Sequence, residues 1–251
     1  MSQLRLDFEV ESTNTLLLEE PPPSPGHASV CLAELQSGGR GRRGRKWLNP
    51  FGGGLALSIS WHFPDPPQDL SALSLAAGVA VLRAALRVGA KGIALKWPND
   101  IWLDDRKVGG ILIEMRSEAA GLAFVVIGIG VNVTTGPQAL ARIAATGVRP
   151  ASLAQACAAP PSRNEVAGAI IEEMLDMLPQ FSRDGFAPYR QAWRLSDALH
   201  GREVRVLAGD STIDGTARGI DADGGLLVEV NGAIKKFVSG DVSLRLGTGP
   251  T

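Results

Sequence analysis

Gly38-Gly39-Arg40-Gly41-Arg42-Arg43-Gly44-Arg45-Lys46-Trp47 places five cations and four glycines in ten residues, with no acid among them. Glycine lets the backbone adopt positive φ and approach a ligand closely. Arginine presents planar forks of donors that match phosphate or carboxylate oxygens in pairs. So many glycines favour neither helix nor strand, so the stretch is expected to be a loop that stays mobile until an anion arrives. A solvated basic loop and a nucleic-acid or localisation patch are the competing readings, and the flanking sequence has to decide between them.

Composition narrows the choice. The chain has 251 residues, 45% hydrophobic and 20% charged, with a formal net charge of -1. That length holds one large domain, or a large one with a small one, around a real core. Near-neutral charge makes the basic loop a local feature, whereas a nucleic-acid binder usually shows a broader basic footprint. Cys31 and Cys157 match no metal or redox spacing, and with no secretory leader they read as reduced thiols in a cytoplasmic protein. No apolar run is read as reaching the ~18 residues needed to span a membrane.

Outward from the loop, Ala28–Glu34 reads as a strand leading into it, with Gln36 just before it. Upstream, Leu4, Leu6, Phe8 and Val10 alternate with polar residues as in another strand. Ser12 is a natural N-cap for a short helix that Pro21-Pro22-Pro23 ends. Downstream, Leu55 to Phe63 has period two, with His62 on the small-residue face. Neither His27, His62 nor His200 has the company of a nucleophilic triad or a zinc site. Leu75, Val79, Leu82 and Leu86 have helical spacing, with Ser71 as cap and Gly89 as stop.

Ile93–Trp97 is a short strand closed by Pro98, which leaves Asn99-Asp100 in a turn. Lys107–Glu114 is a strand notched by Gly109 and Gly110. Leu122–Val133 is apolar and β-branched enough to be a central strand buried on both faces, interrupted by Gly128, Gly130 and Asn132. The alanine- and proline-rich stretch 134–161 gives no clear element. Ser162 and Glu165 form a capping box for a helix carrying Val166, Ile170, Met174 and Leu178, and Phe186, Tyr189 and Trp193 suggest the inner face of another. Past Gly201, short strands alternate with Gly turns. Asn231-Gly232 is a type I′ hairpin signal, so the tail reads as a small all-β barrel of about fifty residues.

Several motifs together resemble those of the biotin protein ligases: Ser12-Thr13-Asn14; Gln36 with Gly39–Trp47; Lys96-Trp97-Pro98-Asn99-Asp100; Arg106-Lys107-Val108-Gly109-Gly110-Ile111; and Gly128-Ile129-Gly130-Val131-Asn132. Gly219-Ile220-Asp221 and Ser243-Leu244-Arg245 resemble parts of the family's SH3-like C-terminal domain. The resemblance implies a mixed α/β sheet with flanking helices, like the class II aminoacyl-tRNA synthetases, over 1–198, and an SH3-like β-barrel over 199–251. It implies ATP-dependent attachment of biotin, through biotinyl-5′-AMP, to a lysine of a biotin carboxyl carrier domain, with Mg²⁺.

By that resemblance Ser12, Thr13, Asn14 and Gln36 surround the ureido end of biotin. Arg40, Gly41 and Arg42 close over its carboxylate and the phosphate, with Gly39 and Trp47 in the same loop, and Lys107 and Arg42 stabilise the charge that builds during adenylation. Gly109, Gly110 and Asn132 belong to the site or simply pack. Asp100 is a candidate metal ligand or an Asx turn. No helix-turn-helix precedes Ser12, which implies the form without repressor function, monomeric or homodimeric, cytoplasmic and without specific DNA binding. Thr146-Gly147-Val148-Arg149-Pro150 lacks the tryptophan that covers adenine in repressor-type members. A lipoate ligase of the same superfamily and a non-enzymatic Arg/Gly nucleic-acid module are the alternatives.

Overall fold

The computed structural model describes residues 3–117, 123–208, 211–238 and 242–246. In chain order its elements are β1 (Gln3–Val10), α1 (Thr13–Glu19), β2 (Ala28–Gln36), β3 (Gly54–Phe63), α2 (Leu73–Arg87), β4 (Ile93–Lys96), β5 (Asp100–Leu103), β6 (Arg106–Ser117), β7 (Ala123–Asn132), α3 (Pro137–Ala144), α4 (Arg163–Asp184) and α5 (Arg190–Leu195). Strands β8 (Glu203–Ala208), β9 (Ser211–Ile220), β10 (Leu226–Val230), β11 (Ala233–Phe237) and β12 (Val242–Leu246) follow. Leu122, expected to begin the central strand, lies outside the described residues.

Seven strands form a mixed sheet in the order β1-β2-β3-β7-β6-β5-β4, parallel only between β1 and β2. The β-branched run forms the middle strand, β7, buried along nearly its whole length as such a composition requires. Helices α2 and α4 pack over one face and close the main core. The other face carries α1, whose Leu17 packs with Cys31, Phe124 and Val126.

The edge strand β1 turns its alternation the opposite way from a half-buried strand. Leu4, Leu6 and Phe8 are 49%, 73% and 64% exposed, while Arg5 and Asp7 point inward and pair at 2.6 Å. The sheet extends one strand beyond its helical cover, so the apolar side of β1 has no layer to pack against.

Two details of α2 depart from the sequence reading. Ser71 does not cap it; a 3₁₀ turn over Leu70–Ala72 leads in, and the cap position is Ala72. Leu86 lies outside the buried stripe at 54% exposure, whereas Gly89 ends the helix as expected with φ +86. Leu70–Arg87 also has the length and mean hydropathy (1.5) to cross a membrane, contrary to the sequence reading. Here 67% of that window is buried, as a core helix against the sheet requires. The capping box of α4 is complete, with Glu165 N–H donating to Ser162 Oγ at 3.1 Å and Ser162 N–H to the Glu165 carboxylate at 2.8 Å.

The tail forms a five-stranded antiparallel sheet in the order β11-β10-β9-β8-β12. Asn231 and Gly232 both have positive φ, 51° and 79°, the type I′ geometry expected of Asn-Gly.

Candidate active site

The site is a cleft partly open to solvent, lined by residues of β3, β6 and β7. Its floor exists because side chains are missing there. Ala56, Gly130 and Gly110 lie in register across β3, β7 and β6, and the next row sets Gly128 between Ser58 and Leu112. A Cβ on Gly130 would fall inside the Trp47 indole, and one on Gly128 would fall on the Asn14 amide. The two glycines that interrupt the central strand are therefore the sockets for two residues from distant segments.

At one end, Ser12, Thr13, Asn14 and Gln36 line the cleft together. Ser12 caps α1 as foreseen, its side chain accepting from Thr15 N–H at 3.4 Å, and it also lines the cleft. Thr13 N–H donates to Gln36 Oε1 at 2.9 Å, and Ser58 Oγ lies 2.7 Å from Thr13 Oγ1 and 2.6 Å from Asn14 Oδ1. Asn14 Nδ2 donates to the Glu114 carboxylate at 2.8 Å and to Leu112 O at 3.3 Å. This polar end opens onto an apolar channel bounded by Trp47, Leu57, Leu112 and Ile129.

At the other end sits Lys107. Its Nζ pairs with Asp100 Oδ1 at 2.6 Å and lies 5.7 Å from the Trp47 ring centroid. Lys96 Nζ approaches the other carboxylate oxygen at 3.7 Å and stands 5.0 Å over Trp102. Burial alone raises the Asp100 pKa, but Lys107 and Lys96 outweigh it and hold the carboxyl below its usual range. Asp100 is thus an ion-pair partner at the start of β5, so its reading as part of a turn is corrected. Lys107 is also more enclosed than a strand-end lysine, with a side chain only 19% exposed. Arg42 reaches the same region: burial lowers its pKa while Asp100 pulls it back up. Asn99 supports the turn by donating to Ile111 O at 2.6 Å. Among the described lining residues five are cationic (Arg40, Arg42, Arg45, Lys46 and Lys107) and none is acidic.

The basic loop differs from its expectation as an unstructured segment. Trp47 N–H donates to Gly39 O at 2.9 Å, Arg40 bridges Lys46, and Gly41 N–H donates to Arg45 O at 2.6 Å, so the base is a short hairpin. Its tip is a 3₁₀ turn over Arg42–Gly44, with Arg43 and Gly44 at φ 60° and 71°. Arg40 leaves the cation cluster to meet Glu114, at 3.0 and 3.2 Å.

The other expected residues divide. Gly41, Gly110 and Asn132 line the cleft. A Cβ on Gly110 would stand 3.0 Å from Lys107 Nζ, so this glycine gives the lysine its room. Gly39 and Gly109 serve packing, since a Cβ there would come within 2.6 Å of Trp47 O and 2.7 Å of Gly130 O respectively. Asn132 Nδ2 donates to Ala151 O at 3.1 Å, leaving its buried Oδ1 without a hydrogen-bond partner among the described residues. Ile143, Thr146 and Val148 close the cationic end, held there by Lys107 N–H to Arg149 O and Ala151 N–H to Lys107 O, at 2.7 and 2.8 Å. Sequence reading missed Glu114, Ser58 and Ile143. A lone acid directly after the apolar run Ile111-Leu112-Ile113 was the available signal for Glu114; Ser58 and Ile143 had none. Among the described residues no group of three His, Cys, Asp or Glu could hold a metal.

Residues 8–132 match the model of the "Biotin/lipoate A/B protein ligase family", and residues 199–245 match "Biotin protein ligase C terminal domain". The chain is 38% identical over 237 residues to the bifunctional ligase/repressor BirA of Escherichia coli, covering 94% of this chain and 72% of that protein. It is 37% identical to the biotin–[acetyl-CoA-carboxylase] ligase of Paracoccus denitrificans, covering 87% of this chain and 90% of that one. The fold superposes with TM-score 0.82 on a biotin protein ligase from Aquifex aeolicus solved with biotin and ATP, at 29% identity, covering 98% and 100% of the two chains.

Proposed function

Because the chain belongs to the biotin protein ligases, it joins biotin to a carrier protein at the expense of ATP, and we propose the following division of labour within the cleft. Ser12, Thr13, Asn14 and Gln36 bind the ureido group. Trp47, Leu57, Leu112 and Ile129 enclose the rings and valeryl chain, and Lys107 with Arg42 receives the carboxylate and the α-phosphate. The observation that carries this reading is the continuity of one cleft from a neutral hydrogen-bonding end, through an apolar channel, to a cation cluster.

The chemistry follows from that order. The biotin carboxylate attacks the α-phosphorus and pyrophosphate leaves; a carrier lysine then attacks the acyl carbon and AMP leaves. Both partners of the first step are anions, so fixed cations in a partly dry cleft lower its barrier. No side chain has to become a nucleophile. Asp100 is one carboxylate already held by two lysines, so the described residues offer no dedicated cage, and Mg²⁺ would enter with ATP and supply charge neutralisation at the phosphates. With Thr146–Pro150 lacking tryptophan, Ile143 and Val148 supply the apolar cover for adenine.

The natural protein acceptor is a biotin carboxyl carrier domain, the catalytic unit is 1–198 and the C-terminal unit 199–251. No specific DNA binding is expected; an operator complex surviving about 200 mM salt would overturn that part. Biotin-dependent exchange of labelled pyrophosphate into ATP tests the whole reading. Exchange with biotin and none with lipoate is expected, because lipoate has no urea to satisfy the polar end; exchange with lipoate alone would reverse the assignment.

A further inference from the structure

Glu114 stands on β6 outside the lining of the cleft, yet it touches both ends of the machinery that closes it. Its carboxylate accepts from Asn14 Nδ2 at 2.8 Å and from Arg40 Nη2 at 3.0 and 3.2 Å. These partners lie 100 and 74 residues away along the chain, one in the ureido seat and one at the base of the basic loop. Resting on the ligase reading, we infer that Glu114 is a positioning residue that couples the ureido seat to the loop, so that the loop is braced over the bound intermediate when Asn14 is correctly set.

Hydrogen counting supports this. Thr13–Gln36, Ser58–Thr13 and Ser58–Asn14 are three oxygen–oxygen contacts of 3.1, 2.7 and 2.6 Å. Thr13 and Ser58 have only two hydroxyl protons to fill them, so this side of the seat leaves the Asn14 amide weakly specified. Glu114 specifies it. A carboxylate accepts and never donates, so the amide must turn its NH₂ toward Glu114 and Leu112 O and its oxygen toward Ser58. The same charge holds Arg40, and Arg40 is a rung of the hairpin that carries Arg42 and Trp47 into the cleft. Asn14 and Arg40 share Oε2, so displacing either alters the hold on the other.

The test reads coupling. The release rate of labelled biotinyl-adenylate is measured for Asn14→Ala, Arg40→Ala and the double variant, with Glu114 present and again in a Glu114→Ala background. With Glu114 present the double variant should depart from additivity by about tenfold, within the range for residues sharing one network. Without it, the two effects should multiply to within about twofold. Glu114→Gln serves as the background if Glu114→Ala does not fold. By itself Glu114→Gln should raise the KM for biotin about tenfold and leave the KM for ATP unchanged, a split that general destabilisation does not produce. Coupling that persists without Glu114, or is absent with it, overturns the inference while leaving the ligase reading intact. A wild-type chain that makes no adenylate from biotin overturns both.

Discussion

At the scale of single residues, Lys107 shows how a role proposed from sequence can come with an environment the sequence does not show. Its place after Arg106 and before a glycine pair is local in sequence, so it could be picked out as a candidate cation. Its 2.6 Å bond to Asp100 and 19% exposure are tertiary facts that a strand-end lysine did not suggest. Lys107→Ala is therefore expected to lower pyrophosphate exchange roughly 10²–10³-fold, the scale of losing one preorganised donor. It should also cost about 1–3 kcal/mol of stability, because Asp100 would lose its 2.6 Å partner while Lys96 stands farther off, at 3.7 Å. The Asp100 pKa is lowered in the folded protein, so its contribution is fully present above the ordinary carboxylate value and is lost as pH falls through the lower folded one. Urea titrations at pH 7 and through the acid range should show the stability gap between wild type and variant closing as pH falls; unchanged exchange in a folded variant would return Lys107 to the surface. Asp197 has the opposite sign. Burial raises its pKa, and its Oδ2 has no hydrogen-bond partner among the described residues, although Oδ1 accepts from Leu199 N–H at 2.9 Å. Such a group costs stability as pH rises from the ordinary carboxylate value through the raised one. Asp197→Asn keeps the Oδ1 bond and should make the chain more stable at pH 7 than the wild type. Chemical denaturation at pH 4 and pH 7 checks this, and an equal difference at both would rule out titration of Asp197 as the cause.

At the scale of elements, the basic loop was legible as a concentration of cations on a loop and illegible as a hairpin. Glycine count argues against regular structure, but the rungs that order this loop run to Trp47 and Glu114, and Trp47 sits where Gly130 leaves room. Each of those partners is set by the sheet, so composition alone could not supply them. The same holds for α2, where periodicity gave the helix, but the orientation of Leu86 and the 3₁₀ entry depend on what α4 and the sheet leave uncovered. By contrast the α4 capping box and the Asn231-Gly232 turn were read correctly because each is complete within four residues. The function proposed for the loop makes a prediction of its own. An acyl-adenylate must be kept from water and stray amines until the carrier lysine docks. Arg42→Gly removes one charge-assisted fork, typically ~1.5–3 kcal/mol, and adds freedom to the 3₁₀ tip. Adenylate retention should weaken by roughly one to two decades, while Lys107 still supports synthesis. Incubating the variant with biotin, ATP and an unrelated lysine-rich protein should label the bystander; adenylate held as long as in the wild type would show that the loop is no lid.

At the scale of the whole molecule, the Lys96–Asp100 motif serves two structures at once. Asn99 lines the cleft and Lys96 and Asp100 form an ion-pair cluster with Lys107 behind its cationic end, while Trp97, 1% exposed, turns toward the C-terminal sheet and donates its indole N–H to Gly224 O at 3.1 Å. Gly224 has φ +80 and lies so close to α2 that a Cβ would meet Leu75 at 2.8 Å and Ala72 at 2.9 Å. Leu95 hydrogen-bonds the connector at Ser196 and Ala198, and Arg202 grips Asp105 with both terminal nitrogens, at 2.6 and 2.8 Å. Val204, Val206, Ala217, Ile220, Leu226 and Val228 of the small sheet belong to the same buried cluster as α2 and the large sheet. A shared core and a buried indole make the two sheets one cooperative unit, so calorimetry of the wild type should show a single transition with agreeing calorimetric and van't Hoff enthalpies. Trp97→Ala should cost about 3–5 kcal/mol, the usual range for deleting a buried tryptophan. Trp97→Phe, which keeps most of the bulk and leaves Gly224 O without its donor, should cost about 1–3 kcal/mol. Because the four residues from Trp97 to Asp100 also set the anchor of Lys107, both variants should lower the adenylation rate at temperatures where they remain folded. Two transitions in the wild type, or a Trp97→Ala chain with normal pyrophosphate exchange, would mean that the small sheet hangs beside the catalytic cleft without bracing it.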